Sequence, residues 1–129
     1  KITIVVGNSY GAGNYAMCGR AYDPRFMYAW PSAQIAVMGG TQAAKVLTQI
    51  RVSTLEKKGK EITEEEEQEI MKEISERYEE QTDVRYAAAR LWVDGIINPI
   101  ETRDRISHAI KCANHNPEIE EFKTGVMQV

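Results

Sequence analysis

Histidine and cysteine are scarce in this chain, with two of each among 129 residues. Cys18 and Cys112 share no CxxC spacing, so no disulfide framework is present, and the pair favours a reducing compartment. No second histidine stands at ligand spacing from His108, which leaves it as a helix-surface residue or a satisfied hydrogen-bonding partner. No uninterrupted apolar run reaches membrane-spanning length. A dense basic block is also missing. Sixteen basic against nineteen acidic residues give a net charge of -3, which speaks against nucleic acid as a partner. The start lacks the shape of a signal peptide, since glycines and polar residues follow one lysine and a short apolar run at once. It also lacks methionine: Lys1 leads straight into the apolar run, and the expectation is a cut inside a longer protein. No repeat or long flexible linker divides the chain. Hydrophobic residues at 43% therefore suit one domain with its own core, or a piece of a larger one.

What is present alternates between strand and helix patterns. Residues 2–6 form a continuous β-branched run that reads as a strand buried on both faces and ending at Gly7. Gly11 and Gly13 allow a tight turn, and residues 14–19 read as a helix with a slim side made by Ala12, Tyr15, Ala16 and Gly19. Phe26, Tyr28 and Trp30 at spacing two predict a half-buried strand, closed by Pro31. Residues 34–38 predict another, closed by Gly39-Gly40. Ala43, Ala44, Val46, Leu47 and Ile50 then form an apolar stripe at helical spacing.

Charge rises over residues 56–81, which read as mostly solvated surface with Gly59 separating two helices. Thr63 and Glu66 have capping-box spacing, and the following helix carries the narrow stripe Ile70, Met71, Ile74 and Tyr78. The acidic run at 64–67 suits the positive end of a helix dipole, a role that needs no metal. Residues 84–92 predict a closely packed helix, Asp94-Gly95 a turn, and Ile96-Ile97 a short extended piece. Asn98, Pro99 and Glu101 read as cap, first helical residue and acidic third position of a helix reaching about residue 114. Ile100, Ile106, Ala109, Ile110 and Ala113 are its expected inner side, and residues 122–129 an arm or tail.

The stretch "ITIVVGNSYGAGNYAMCGR" admits several chemistries. Gly7-Asn8-Ser9-Tyr10-Gly11 fits the nucleophile-elbow pattern, which also requires a histidine and an acid; only His108 and His115 are on offer. Gly11-Ala12-Gly13-Asn14-Tyr15-Ala16 fits the dinucleotide pattern but lacks an acid about twenty residues on. A third reading needs no side-chain nucleophile. Small residues at a strand-to-helix turn let backbone N–H groups face outward and hold an oxyanion, and Ala12 and Gly13 sit where that turn falls. A plain tight turn explains the same residues. Cys18 reads as a small buried hydrophobe, Arg20 and Arg25 as cations paired with local acids at the surface, and Trp30 and Trp92 as core or interface anchors.

Two longer stretches carry a family likeness. "SYGAGNYAMCGRAYDPRFMYAWPSAQIAVMGGTQAAKVL" and, downstream and in order, "RLWVDGIINPIETRDRI" resemble the carboxyltransferase component of biotin-dependent acyl-CoA carboxylases. The resemblance is strongest to the methylcrotonoyl-CoA carboxylase beta subunit and weakest through the charged middle. It implies an α/β fold of the crotonase-like kind, a superhelix of ββα units, of which residues 1–129 are the C-terminal portion of the second carboxyltransferase domain. Residues 56–81 are then a charged helical insertion.

The resemblance further implies carboxyl transfer from carboxybiotin to an acyl-CoA. The backbone N–H groups of Ala12 and Gly13 fall on the biotin-side oxyanion pair. Tyr10, Gly11, Asn14 and Tyr15 shape that pocket, and Met38, Gly39 and Gly40 match the next strand-to-helix junction. No metal is expected, and no cofactor bound covalently to this chain. Biotin arrives on a carrier domain and acyl-CoA as substrate. Implied partners are the missing N-terminal carboxyltransferase domain, the biotin carrier and biotin carboxylase components, and further copies in a homo-oligomer. The isolated piece is expected to be inactive. It would reside in the cytoplasm or mitochondrial matrix according to organism. The order Gly11-Ala12-Gly13-Asn14-Tyr15 is similar to the methylcrotonoyl type and to glutaconyl-CoA decarboxylase relatives rather than the propionyl type, and Ala16 departs from a common glycine. A biotin-dependent decarboxylase subunit and a purely structural assembly module stay open as alternatives.

Overall fold

A computed structural model describes residues 1–119 and 121. The arm expected at residues 122–129 lies outside the described residues. The chain divides into two compact units. One joins Lys1–Val37 to the chain from Asp83 onward, and the other is Met38–Thr82. No helix among the described residues is long and apolar enough to cross a membrane.

The first unit is built from short parallel strands. β1 (Ile2–Val5) pairs with β3 (Phe26–Ala29), and β3 pairs with β5 (Gly95–Ile96), giving the order β1-β3-β5. A second pair, β2 (Asn8–Tyr10) with β4 (Gln34–Ala36), is also parallel, with Ser9 opposite Ile35. The chain thus enters one sheet at β1, kinks after Val5 and enters the other at β2; it repeats the manoeuvre through β3 and β4. β2 was not foreseen. The predicted turn at Gly11 and Gly13 is instead a strand end followed directly by α1 (Gly11–Ala16).

β1 is less buried than its composition predicts. Val5 is buried but Val6 is half exposed, because β1 lies at the edge of its sheet and pairs only with β3 among the described residues. β3 is central, and its alternation is as expected while the buried face is the other one. Met27 and Ala29 are fully enclosed, whereas Phe26 and Tyr28 stack on the opposite face with ring centroids 6.1 Å apart. Small residues on the enclosed face let Val5, Ala33, Ile35, Val84, Ala87 and Val93 close over Met27 as one core. Complete burial of that methionine contributes about 2 kcal/mol. Trp92 packs against this core and meets Tyr86 edge to face.

The aromatic face of β3 is tied to α5 (Thr102–Asn114) by a hydrogen bond from Trp30 Nε1 to Thr102 Oγ1 at 2.9 Å. Before α5, Asn98 Oδ1 accepts from Ile100 N at 3.2 Å and Pro99 opens a 3-10 turn, so the predicted start is observed. Its predicted inner side is observed in part. Ala109 is fully buried and Ile106 and Ala113 are half-buried, but Ile100, in the 3-10 turn, is 86% and Ile110 48% exposed. α4 (Val84–Ala89) is shorter than predicted and ends before Leu91, which has φ +59.

The second unit is a helical hairpin of α2 (Gly40–Glu56) and α3 (Glu64–Thr82). Gly59, at φ +78, lets the chain reverse; its N–H donates to Glu56 O, and Lys60 N donates to Leu55 O. The capping box is present: Glu66 N donates to Thr63 Oγ1 at 3.3 Å, and Thr63 N donates to Glu66 Oε2 at 3.0 Å. On α2 the buried residues are Ala43, Ala44 and Thr48, while Val46, Leu47 and Ile50 of the predicted stripe are exposed. Ala43, Ala44 and Thr48 line up at helical spacing, so the apolar stripe is rotated from the one read off composition.

Candidate functional site

Tyr10 is at once the last residue of β2 and the cap of α1. Its backbone is extended (φ -122, ψ 140), and its side chain makes no capping bond to the helix. The first N–H groups of any α-helix have no acceptor inside it. Here neither α1 nor its cap provides one for Ala12 or Gly13. Both residues are exposed, and a Cβ built on Gly13 meets nothing within 4 Å. Gly11 makes the turn. Its φ is +46, and a Cβ there would lie 2.8 Å from Val37 O, so glycine is required on two separate grounds.

The remaining residues of the predicted pocket divide. Tyr10 Oη donates to Gln34 Oε1 at 2.6 Å, bridging the end of β2 to the first residue of β4. Asn14 points inward instead. It is buried, its Oδ1 accepts from Ser9 Oγ at 3.0 Å, and its backbone oxygen accepts from Gly19 N at 2.7 Å. Gly19 is packed so closely on Asn14 that a Cβ would meet Asn14 Oδ1 at 2.5 Å. Tyr15 lays its ring edge-on to Tyr22 at 6.2 Å, and its hydroxyl is buried with no partner among the described residues. Asn14 and Tyr15 therefore shape the site from behind rather than lining open space.

Two chemistries of the opening stretch fail on this geometry. An elbow nucleophile must stand on the strand-to-helix turn, but Ser9 lies inside β2 and spends its hydroxyl on Asn14. His108 is engaged elsewhere, with Nε2 3.4 Å from Cys112 Sγ on α5. The dinucleotide reading does find a strand, a glycine turn and a helix. That helix has only six residues, and the strand paired with β2 ends at Ala36 without an acid. Cys18 is half-buried at φ +60 rather than a core hydrophobe; its carbonyl accepts from Thr3 Oγ1 at 2.7 Å. Arg20 and Arg25 are exposed, and neither makes an ion pair among the described residues.

The second unit begins with Met38, Gly39 and Gly40. Gly39 caps α2 in an extended conformation (φ -64, ψ 144) without a side-chain bond, so the first turn of a seventeen-residue helix is also left open by its cap. Sequence reasoning placed Tyr78 on an apolar stripe and missed its polar role. Its hydroxyl donates to Met38 O at 2.8 Å and accepts from Met38 N at 3.3 Å. The one available signal was a tyrosine, which needs a hydrogen-bond partner when half-buried, at the end of an otherwise aliphatic row. Among the described residues, no group of three His, Cys, Asp or Glu is placed to hold a metal ion.

Sequence and fold both match known proteins over most of the chain. The family described as carboxyl transferase domain matches residues 1–126. The chain is 48% identical over 129 residues to the mitochondrial methylcrotonoyl-CoA carboxylase beta chain of Arabidopsis thaliana, covering 100% of this chain and 22% of that protein. It is 46% identical to the biotin-dependent 3-methylcrotonyl-coenzyme A carboxylase beta1 subunit of Mycobacterium tuberculosis, covering 100% of this chain and 24% of that one. Among solved structures it superposes on the transcarboxylase 12S hexamer with methylmalonyl-coenzyme A bound. The TM-score is 0.77 at 32% identity, covering 95% of this chain and 22% of the other. The chain thus spans about a quarter or less of the length of these relatives, with an α/β architecture related to theirs. A family match that runs from the first residue through both strand-to-helix junctions and α5 means that this chain belongs to the carboxyl transferase domain family.

Proposed function

We propose that this chain supplies the biotin-side oxyanion hole of a carboxyltransferase that moves a carboxyl group from carboxybiotin to an acyl-CoA. The observation that carries the reading is the start of α1. Ala12 and Gly13 are exposed at an uncapped helix N-terminus, with open space where a Gly13 side chain would be. A flat ureido ring fits such a site, because no side chain holds it away from the backbone.

A carried biotin would supply the carboxyl group, and the Ala12 and Gly13 N–H groups are the donors that would hold the negative charge left on its ureido oxygen. They are held in place before the charge develops, so they stabilise the transition state more than the ground state. Gly11 gives the turn that aims them, and Tyr10 fixes the strand end through Gln34. Asn14 and Tyr15 brace α1 from its inner side. In the second unit, Met38, Gly39 and Gly40 form another uncapped strand-to-helix junction, read as ligand-facing.

The chain is read as the C-terminal portion of a second carboxyltransferase domain with a crotonase-like ββα superhelix. Two successive strand–strand–helix passages, β1-β2-α1 and β3-β4-α2, support that reading. Residues 56–81 form its charged helical insertion. Acyl-CoA is the substrate, as the methylmalonyl-coenzyme A in the transcarboxylase 12S structure supports. Biotin comes on a carrier domain; the partners are that carrier, the biotin carboxylase component and the N-terminal carboxyltransferase domain. A homo-oligomer follows the transcarboxylase hexamer. A mitochondrial setting is the one that the Arabidopsis relative supports.

The test is Gly13→Val in the full-length protein with its carrier. Valine keeps the N–H, its Cβ has no atom within 4 Å, and its branched side chain fills the approach to the amides. Transfer to methylcrotonoyl-CoA is expected to fall about 100-fold or more, as for loss of an oxyanion donor, with folding unchanged. Full activity of Gly13→Val would overturn the reading. Running the same assay with propionyl-CoA and glutaconyl-CoA fixes the acyl group and the direction of transfer.

A further inference from the structure

We propose that Tyr78 is a positioning residue: its hydroxyl, reaching out from α3, fixes the backbone that launches α2 and so aims the N–H groups of the Gly39–Gly40 junction. The proposal rests on the reading of Met38, Gly39 and Gly40 as a ligand-facing junction. Met38 lies between the end of β4 at Ala36 and the start of α2 at Gly40, where the chain has left one hydrogen-bond ladder and not yet entered the next. Both of its backbone polar groups are taken up by one side-chain oxygen. Tyr78 Oη donates to Met38 O at 2.8 Å and accepts from Met38 N at 3.3 Å. The ring itself comes within 3.8 Å of where a Gly40 Cβ would lie, so it also backs the first residue of the helix.

Apart from the bond that Gly39 O accepts from Ala43 N at 3.0 Å, the junction has little of its own to fix its shape. Gly39 and Gly40 have no side chains with which to pack or cap, and glycine backbones are the freest in conformation. A two-glycine link between a strand and a seventeen-residue helix needs an external clamp if its N–H groups are to point in one direction. Ile70, Met71 and Ile74 supply the apolar part of the row on α3, one or two turns before Tyr78. A phenylalanine would continue that packing; the hydroxyl is needed only for Met38. This gives the charged hairpin a specific task. Its solvated face carries the charge, and the end of its inner row holds the glycine junction in register.

The experiment compares Tyr78→Phe, Ile74→Ala and Gly13→Val in the full-length protein, measuring Tm and steady-state transfer with the carrier present. Tyr78→Phe is expected to lower kcat about tenfold with KM for the acyl-CoA unchanged and Tm within about 3 °C of the parent. Ile74→Ala, which removes packing without touching Met38, is expected to lower Tm while leaving kcat per folded molecule at the parent value. An unchanged kcat in Tyr78→Phe, or a loss shared equally by Ile74→Ala, overturns the positioning role. Gly13→Val separates the two ideas. If it is inactive while Tyr78→Phe is normal, only the Tyr78 proposal fails; if both are fully active, the pocket reading fails as well.

Discussion

The Ser9 hydroxyl donates to the Asn14 carboxamide oxygen at 3.0 Å, tying β2 to the helix that follows it. That bond turns a residue with the look of a nucleophile into a brace. Ser9→Ala is therefore expected to cost about 1 kcal/mol, the net worth of one hydrogen bond, and to leave carboxyl transfer unchanged. Asn14→Ala should cost more, about 2–3 kcal/mol, because it leaves a cavity in a buried position as well as a hydroxyl without its acceptor. Urea unfolding of the full-length protein reads both. Esterase activity that vanishes in Ser9→Ala would reinstate the nucleophile.

Gly11 and Gly13 are two residues apart and predict opposite outcomes. At Gly11, φ is +46 and a Cβ would press on Val37 O at 2.8 Å, a backbone atom that cannot swing aside. Gly11→Ala should destabilise by at least about 2 kcal/mol, the left-handed penalty together with the clash. At Gly13 there is ordinary φ and open space. Gly13→Ala should be neutral or stabilise by up to about 1 kcal/mol through helix propensity. Paired thermal melts check the contrast. Equal losses at both positions would mean that the turn is not set by Gly11.

Local chemistry was the legible part of this sequence. The Thr63–Glu66 box, the Asn98–Pro99 start and the Gly59 reversal each depend on residues within one helical turn, so spacing alone finds them. Non-local pairing was not legible. β2 is three residues long with the sequence Asn-Ser-Tyr, and it exists because Gln34–Ala36 lies parallel beside it. Alternation in β3 was visible, but composition favoured the aromatic face as the interior. The core instead selects the unbranched Met27 and the small Ala29, over which neighbouring elements close. Val46 and Ile110 failed for a related reason: a stripe read from hydrophobicity fixes a helix face only to within the width of its apolar arc. The candidate site was legible through family likeness and the Gly11-Ala12-Gly13 pattern. The inward turn of Asn14 and the reach of Tyr78 to Met38 both required coordinates.

Thr48 offers a test of the hairpin interior. It is buried on α2, and its hydroxyl has no hydrogen-bond partner among the described residues. A buried hydroxyl without a partner pays its desolvation cost and gains nothing in return. Thr48→Val keeps the branched shape and removes the cost, so it should stabilise by about 1 kcal/mol. Thr48→Ser keeps the hydroxyl and loses a methyl group, and should destabilise by about 1 kcal/mol. Denaturant midpoints decide. A destabilising Thr48→Val would show that the hydroxyl has a partner in the intact protein.

Asp83 caps α4, and its charge sets a pH dependence of known sign. Its Oδ1 accepts from Arg85 N at 2.7 Å and from Arg85 Nε at 2.9 Å, while Oδ2 accepts from the Arg85 guanidinium at 2.7 Å. The guanidinium hydrogen bonds first, then the backbone N–H, lower the carboxyl from its ordinary 3.8 to about 2. A carboxyl with a lowered folded-state pKa holds the native state best above the unfolded value. The contribution is thus complete above about pH 4 and lost as pH falls through about 2. The pair is exposed enough for solvent to weaken it, so the effect is small. Asp83→Asn retains a capping oxygen and removes the charge. At pH 6 the parent should melt slightly above Asp83→Asn, and the gap should close between pH 4 and pH 2. A gap that is constant across that range would show that the Asp83 charge is not its source.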